Sequence, residues 1–540
     1  MSERVLRSSR SRLAHLAKVA AVVLTTSATL AACTSSSPSA ASKAPSSSSS
    51  PAASSKAPAL TSATIVMPVM PAGGGNPFAG GYAGQAVQVM PAIFDALTQG
   101  TSKGIEPQLA TSWKEISPTE WQFDLRQGVT FSNGEPFNAA AAAFSINYAA
   151  SPAGQKTPVG DAVPQLVGAT VVSNYVIDVT TKTPVPILPG LLDQLNIVAP
   201  KYWQQVGPSG YSTQPVGTGP YEVTNWGPTS ITLKRFAGAW QPGKFQTLTF
   251  EAVPNATSRY EALQSGQAQL DYTPSMSQIK TAKSSSNINV ISAMTPNGMT
   301  LQYLDSPGSP IENEAVRVAM NEAIDRAAIQ SQIFNGLGII ASQGVGPGAT
   351  GHDASLGPIP YDPTTAKALL AKAGYPNGFS VTIDDQTTGI TGEPEVLQII
   401  QSELAAVGIK VTYDALPFPT WLADFLGGKF PGAQMTTVLY GATPQMDGAL
   451  ALDRGSCLEV PAVVWCQHGN GQNKLLTQIT SETNPTTRAH LLDQVATLQR
   501  ANPPALWAFG EVNWLLASKN VSARLEVINT IDFATLGPAS

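Results

Sequence analysis

The chain has 540 residues and a net charge of −5, and only 12% of it is charged, against about a quarter in ordinary soluble proteins. A nucleic-acid binder needs a basic excess, so nucleic acid is not an expected partner. After the N-terminal segment no run approaches about eighteen uninterrupted apolar residues, so no later membrane span is expected.

Arg4, Arg7, Arg10, Arg12 and Lys18 precede an apolar run from Val19 to Leu24, which gives way to small residues ending Leu30-Ala31-Ala32-Cys33. This is the layout of a secretory signal. The last four residues resemble a bacterial lipobox, which implies cleavage before Cys33 and a diacylglycerol thioether on its sulfur. The plainer alternative is an ordinary signal peptide with an incidental cysteine. From Thr34 to Ser62 the chain is almost entirely Ser, Ala, Pro, Thr and Lys, too little apolar surface to offset the entropy of ordering, so a tether is expected there. About 480 residues remain, enough for two or three domains.

Ala63 to Met70 reads as a strand running into the backbone-exposing loop Pro71-Ala72-Gly73-Gly74-Gly75-Asn76-Pro77. Trp121, Phe123 and Leu125 alternate as a strand, and Asn138 can cap a helix from Ala139 to Tyr148. Arg126 is either a ligand clamp or an exposed strand-end charge. Gly217-Thr218-Gly219-Pro220-Tyr221 leads into a hairpin with arms YEVTNW and ITLKRF; no Lys-Ser or Lys-Thr follows, so it is not a phosphate loop. Arg259 to Gly266 reads as a helix with a glycine stop, and Gln269 to Tyr272 as a strand.

Asn297 to Asp305 is extended. Val316, Ala319, Met320, Ala323 and Ile324 then recur at helical spacing, with Glu312, Glu314 and Asn321 directed elsewhere. Asp325 can cap a second helix from Arg326 to Phe334, stopped by Asn335-Gly336, and Asp362-Pro363 can open a third, closed by Gly374. Strand Phe379 to Ile383, helix Pro394 to Ala406 and strand Gly408 to Tyr413 give the alternation of an α/β lobe. Thr486 to Arg500 is a helix that Asn502-Pro503-Pro504 stops before an apolar strand.

The strings NEAVRVAMNEAIDRAAIQSQIFNGLG and YDPTTAKALLAKAGYPNGFSVTI, together with GTGPY and the stretch from Ile93 to Tyr148, resemble family 5 extracellular solute-binding proteins, the peptide- and nickel-binding receptors of bacterial ABC importers. The resemblance covers about Ile65 to Val521. It implies an α/β, periplasmic-binding-protein-like two-lobed fold (class II, cluster C type) with an extra strand-rich subdomain in the first lobe. The expected organisation is a lipoprotein signal (1–33), a tether (34–62), lobe I (63–91, 201–300 and 516–540) with its subdomain (92–200), and lobe II (301–515). Two crossings between lobes would make a hinge. Ala72 and Gly73 become candidate ligand contacts, or simply a surface turn, and Gln302 and Tyr303 would lie near the cleft.

Peptide-binding relatives carry an Ala-Asp-Tyr-like segment whose carboxylate pairs with the peptide's α-ammonium. Here the stretch reads Val438-Leu439-Tyr440-Gly441-Ala442-Thr443-Pro444-Gln445-Met446-Asp447. Gly441 or Ala442 stands where the acid belongs, and Asp447 comes several residues late. Either Asp447 reaches the site by another loop path, or the ligand has no free amine there. Tyr440, Trp421 and Tyr303 are aromatic walls of the site or core residues. Cys457 and Cys466 resemble the family's disulfide loop, with two free thiols or a metal pair as alternatives.

The resemblance implies a lipid-anchored, monomeric receptor that delivers a solute, a peptide first, to ABC permease subunits and their ATPase, without a cofactor. The alternatives are a non-peptide polar solute or metal chelate, or a non-transporting sensor or adhesion lipoprotein. No enzyme is expected: there is no Gly-x-Ser-x-Gly elbow and no His-Glu-x-x-His.

Overall fold

The computed structural model describes residues 60–80, 86–386, 390–453 and 471–539. Strand β1 (Ser62–Met67) sends Ala63, Ile65 and Met67 into a first core. A short hairpin follows, β2 (Thr98–Thr101) and β3 (Gly104–Pro107). The strands β4 (Ala110–Ser117), β5 (Glu120–Leu125), β6 (Leu166–Ser173) and β7 (Val176–Thr181) then form a separate sheet ordered β4-β5-β7-β6. The helix Ala139–Ala150 accompanies it, and Asn138 caps that helix by accepting the Ala140 and Ala141 N–H groups. This is the strand-rich subdomain.

The remaining strands are β8 (Tyr221–Trp226), β9 (Ser230–Arg235), β10 (Thr247–Ala252), β11 (Leu270–Tyr272), β12 (Ile288–Tyr303), β13 (Phe379–Gln386), β14 (Ile409–Leu416), β15 (Met435–Tyr440) and β16 (Ala505–Ser518). They join β1 in one ten-stranded sheet ordered β14-β13-β15-β12-β16-β11-β1-β10-β9-β8. β1 runs parallel to β10 and β11 at one end of it, and β13 runs parallel to β14 and β15 at the other. Between these groups lie only β12 and β16, antiparallel to each other. β12 starts nine residues earlier than the sequence suggests, because Ile288 to Met294 pair with Val512 to Ser518 while their mixed polarity hides the strand.

β16 divides its two faces between cores. Leu515 and Ala517 enter the first, and Val512, Trp514 and Leu516 enter a second that holds Val316, Ala319, Met320, Ile324, Val396 and Ile400. A third core lies around Val438, Tyr440, Leu452, Leu492 and Val495. The second core also takes Tyr260, Leu263, Met276 and Ile279, so it extends across the boundary expected at residue 300. The architecture is mixed α/β, with three cores packed along one ten-stranded sheet.

The short motifs have structural work. Thr218 Oγ1 of GTGPY donates to Asp95 Oδ2 at 2.7 Å, as does Trp240 Nε1 at 2.9 Å. A Cβ on Gly219 would stand 2.6 Å from the Ile93 carbonyl carbon, so only glycine allows that approach. Arg126 stacks over Trp240 at 4.1 Å and donates to the Gln108 carbonyl, which answers its role without a ligand. In the helix Glu314–Glu322, Asn321 is buried and donates to the Ala505 carbonyl at 3.1 Å. Arg317 donates to the Pro503, Ile311 and Glu312 carbonyls, and Arg326 to those of Trp507 and Asn321. These side chains fasten the helical layer to the start of β16. Burial pulls the Arg317 guanidinium down to about 10 and that of Arg326 to about 9.

Arg259 does the same at the other end. It pairs with Asp271 at 2.9 Å and donates to the Val253, Pro254 and Thr273 carbonyls, just beyond the ends of β10 and β11. Both members of the pair are buried, and burial raises Asp271 to about 6 against the opposing pull of Arg259. Arg259→Ala would leave that carboxyl in the interior without its cation. We expect it to cost roughly 3–5 kcal/mol of stability in a denaturant titration; a loss below about 1 kcal/mol would show that the pair is dispensable.

Candidate ligand-binding site

Ligands in open α/β sheets bind beyond the carboxyl ends of parallel strands, and the register shows where those ends point. Tyr272, the last residue of β11, pairs with Leu515 of antiparallel β16, so the chain beyond it runs toward lower numbers on β16. Tyr440, the last residue of β15, pairs with Gly298 of antiparallel β12, so the chain beyond it runs toward Asn297. The two parallel groups therefore aim at one place from opposite sides.

At that place the β12–β16 ladder breaks. Met294 pairs with Val512 and Gly298 with Gly510, leaving Thr295, Pro296 and Asn297 opposite the single residue Glu511. A bulge of this kind bends the strand and redirects side chains. Gly346 holds it from outside by donating its N–H to the Pro296 carbonyl at 2.9 Å.

Side chains occupy the gap. Thr295 Oγ1 and Asn297 Nδ2 each donate to Glu511 Oε2 at 2.9 Å. Asn297 Nδ2 also reaches Thr443 Oγ1 at 3.0 Å, while Asn297 Oδ1 accepts the Ala442 and Thr443 N–H groups at 3.0 and 3.3 Å. One asparagine thus ties β12 to both β16 and the loop after β15. Glu511 is half-buried, and this burial raises its pKa against the two hydrogen bonds, from Asn297 and Thr295, that lower it.

That loop also reaches the first lobe. A Cβ on Gly100 in β2 would stand 2.5 Å from the Pro444 carbonyl oxygen, and one on Gly190 would stand 2.8 Å from that of Gln445. Met446 packs with Val527, Ile528 and the partly buried Ile105.

The residues expected at the site fall differently. Asp447 is buried and gives both oxygens to Arg488, Nε to Oδ2 and Nη2 to Oδ1, each at 2.9 Å; Oδ1 also accepts the Ala449 N–H. Arg488 donates in addition to the Ile479 carbonyl. The Asp447 charge is therefore already matched, and the residue anchors the loop rather than an amine. Tyr303 is a core residue: strand alternation turns it toward the helices, where its hydroxyl meets the Arg317 carbonyl at 3.4 Å. Gln302 lies fully buried in the sheet between Thr436 and Ala505. Trp421 stacks on Phe425 at 4.9 Å and donates to Thr436 Oγ1, and Tyr440 is fully buried beside it in the third core. Their burial, not a cleft wall, is what an apolar ring at those positions serves. Gly441 does lie at the junction, 3.4 Å from Asn297 Oδ1 by its Cβ position. Ala72 and Gly73 are exposed in the loop at the carboxyl end of β1. Cys33, Cys457 and Cys466 lie outside the described residues.

Glu511, Asn297, Thr295 and Thr443 were not singled out from the sequence. A signal was present: Glu511 and Asn513 interrupt the otherwise apolar strand from Ala505 to Ala517, and Thr-Pro-Asn-Gly sits inside an extended run.

The fold is the two-lobed one of periplasmic binding proteins, with both sets of parallel-strand ends directed at one polar junction. Residues 104–453 match the model of bacterial extracellular solute-binding proteins, family 5 (middle region), and the chain belongs to that family. It is 32% identical over 341 residues to the glutathione-binding protein GsiB of Escherichia coli strain K12, a match spanning 61% of this chain and 64% of that protein. Solved structures share the fold: HbpA2 from Haemophilus parasuis (TM-score 0.74, 22% identity, 89% of this chain and 100% of that one) and DppA from Helicobacter pylori in complex with the peptide STSA (0.70, 22%, 89% and 98%). NikA from Brucella suis in complex with Fe(III)-EDTA is similar in the same way (0.74, 21%, 88% and 100%).

Arg488→Ala is expected to destabilise the protein by roughly 3–5 kcal/mol, because Asp447 would keep its buried charge without a partner. Thermal unfolding checks this. A variant of unchanged stability would mean that Asp447 is free to serve another cation.

Proposed function

We propose that the protein is the extracytoplasmic, lipid-anchored receptor of an ABC importer, which captures a peptide-sized polar solute between its lobes and delivers it to the permease subunits. The observation that carries this reading is the convergence of both sets of parallel-strand ends on one polar junction, built on the two strands common to both halves. Family membership supports it, as does the GsiB relative, since glutathione is itself a small peptide. Structures of the same fold hold ligands as different as a tetrapeptide and a metal chelate, so the fold alone does not choose among them.

Lobe I is taken as residues 63–91, 201–300 and 516–540 with the subdomain 92–200, and lobe II as 301–515. The packing of Leu515, Ala517 and Leu536 into the first core supports the return of the chain to lobe I. A solute touching both lobes would favour the closed arrangement by its differential affinity, and closure is what the permease would sense. The work of the chain is then binding and release, so the solute leaves unchanged. Among the described residues no helix is long and apolar enough to cross a membrane; in this reading attachment comes from acyl chains on Cys33, each buried methylene adding about 0.8 kcal/mol. A disulfide between Cys457 and Cys466 belongs to the same reading.

Two measurements test it. The wild-type chain is expected in the membrane fraction and Cys33→Ala in the soluble one; identical partitioning would remove the lipid anchor. A solute that binds only the folded state, present at a hundred times its Kd, is expected to add about 2.7 kcal/mol of stability. A thermal-shift screen of tripeptides, including glutathione, that moves nothing would count against a peptide-sized solute.

A further inference from the structure

An acid inside a closing cleft needs a counter-charge. Asp447 has one in Arg488 and Asp271 has one in Arg259. Glu511 has none among the described residues: Thr295 and Asn297, both neutral, supply its hydrogen bonds. Both donate to Oε2, and no described donor reaches Oε1.

The surroundings leave that oxygen available. Asn513 lies two residues along β16, on the same face of the strand, and among the described residues its amide makes no hydrogen bond. Farther along this face Leu515 and Ala517 enter the first core. The face thus changes from apolar to polar at the point toward which the chain beyond β11 and β15 is directed. Thr443, partly exposed in the loop after β15, accepts from Asn297 Nδ2, the group that also donates to Glu511 Oε2.

We propose that Glu511 Oε1 receives a protonated nitrogen of the solute, an ammonium or guanidinium, with Asn513 and Thr443 as neighbouring polar contacts. The inference rests on the reading of the protein as a solute receptor and names the chemistry its solute must carry. It also supplies, from a different strand, the acid that the loop after β15 lacks at Gly441 and Ala442. Thr295 and Asn297 act as positioning residues: by saturating Oε2 they fix the rotamer that presents Oε1. Glu511 is only partly exposed and has no cation beside it among the described residues, so an entering cation pairs with it without displacing a resident one.

The test uses the full-length chain and Glu511→Gln, which keeps the side chain's shape and can still accept from Thr295 and Asn297. Both are equilibrated with a defined mixture of free tripeptides, glutathione, the same peptides N-acetylated, polyamines, arginine, and neutral mono- and disaccharides, and the retained solutes are identified by mass spectrometry. Thermal unfolding of each variant checks folding. The expected result is that the wild type retains solutes bearing a cationic nitrogen and that Glu511→Gln, unfolding normally, holds them about tenfold or more weakly. Retention of N-acetylated or neutral solutes in preference, or binding within about twofold in Glu511→Gln, would overturn the anchor and leave the receptor reading standing. Retention of nothing by the wild type would overturn the receptor reading for these solutes, and the anchor with it. If Glu511→Gln unfolds early, Glu511→Asp serves in its place: it keeps the charge but withdraws it by one methylene, and must weaken cation binding while sparing any neutral solute.

Discussion

Every backbone group in a sheet needs a partner, and here only two strands connect the parallel groups at the sheet's two ends. β12 and β16 must hydrogen-bond to each other over about 50 Å while their outer edges serve β11 on one side and β15 on the other. Their ladder shifts register twice, and at the wider break, between Met294 and Gly298, the Asn297 N–H turns to Thr295 Oγ1, the Pro296 carbonyl accepts from Gly346, and the side chains of Thr295 and Asn297 meet Glu511. The same break that lets the sheet change direction gives the molecule a polar surface where the strand ends meet.

Buried cations hold the frame around that break. Arg317, Arg326, Arg259 and Arg488 each donate to backbone carbonyls, and the last two also pair with a carboxylate. A guanidinium has five donors in a fixed fork, so one side chain can satisfy several carbonyls at a strand end that would otherwise be orphaned. With so few charged residues in the chain, those that are buried have defined structural tasks. Glu511 differs from Asp271 and Asp447 in forming no ion pair among the described residues.

Much of the frame was legible in residue patterns. Asn138, Asp325 and Asp362 cap the helices that follow them, Asn335 and Gly336 both take the left-handed conformation that ends a helix, and Gly266 does likewise. Those features depend on neighbours within a few residues. The helix Phe418–Gly427 and the early start of β12 were missed, since a proline-led apolar run and a mixed-polarity strand carry no clear period. Aromatic rings at Tyr303, Trp421 and Tyr440 fit a core and a cleft equally well on paper, and only the direction in which each strand or helix turns its side chain decides between them.

The sequence by itself determined the family, the α/β class, the subdomain and most element boundaries, because caps, periodicity and short glycine motifs are local chemistry written in order along the chain. Tertiary structure decided which acids are matched. Asp447 and Arg488 lie 41 positions apart, and Thr295 and Glu511 lie 216 apart. Whether a carboxylate meets a cation over such separations depends on strand register and on a bulge, and neither leaves a spacing that a reader of the sequence could measure.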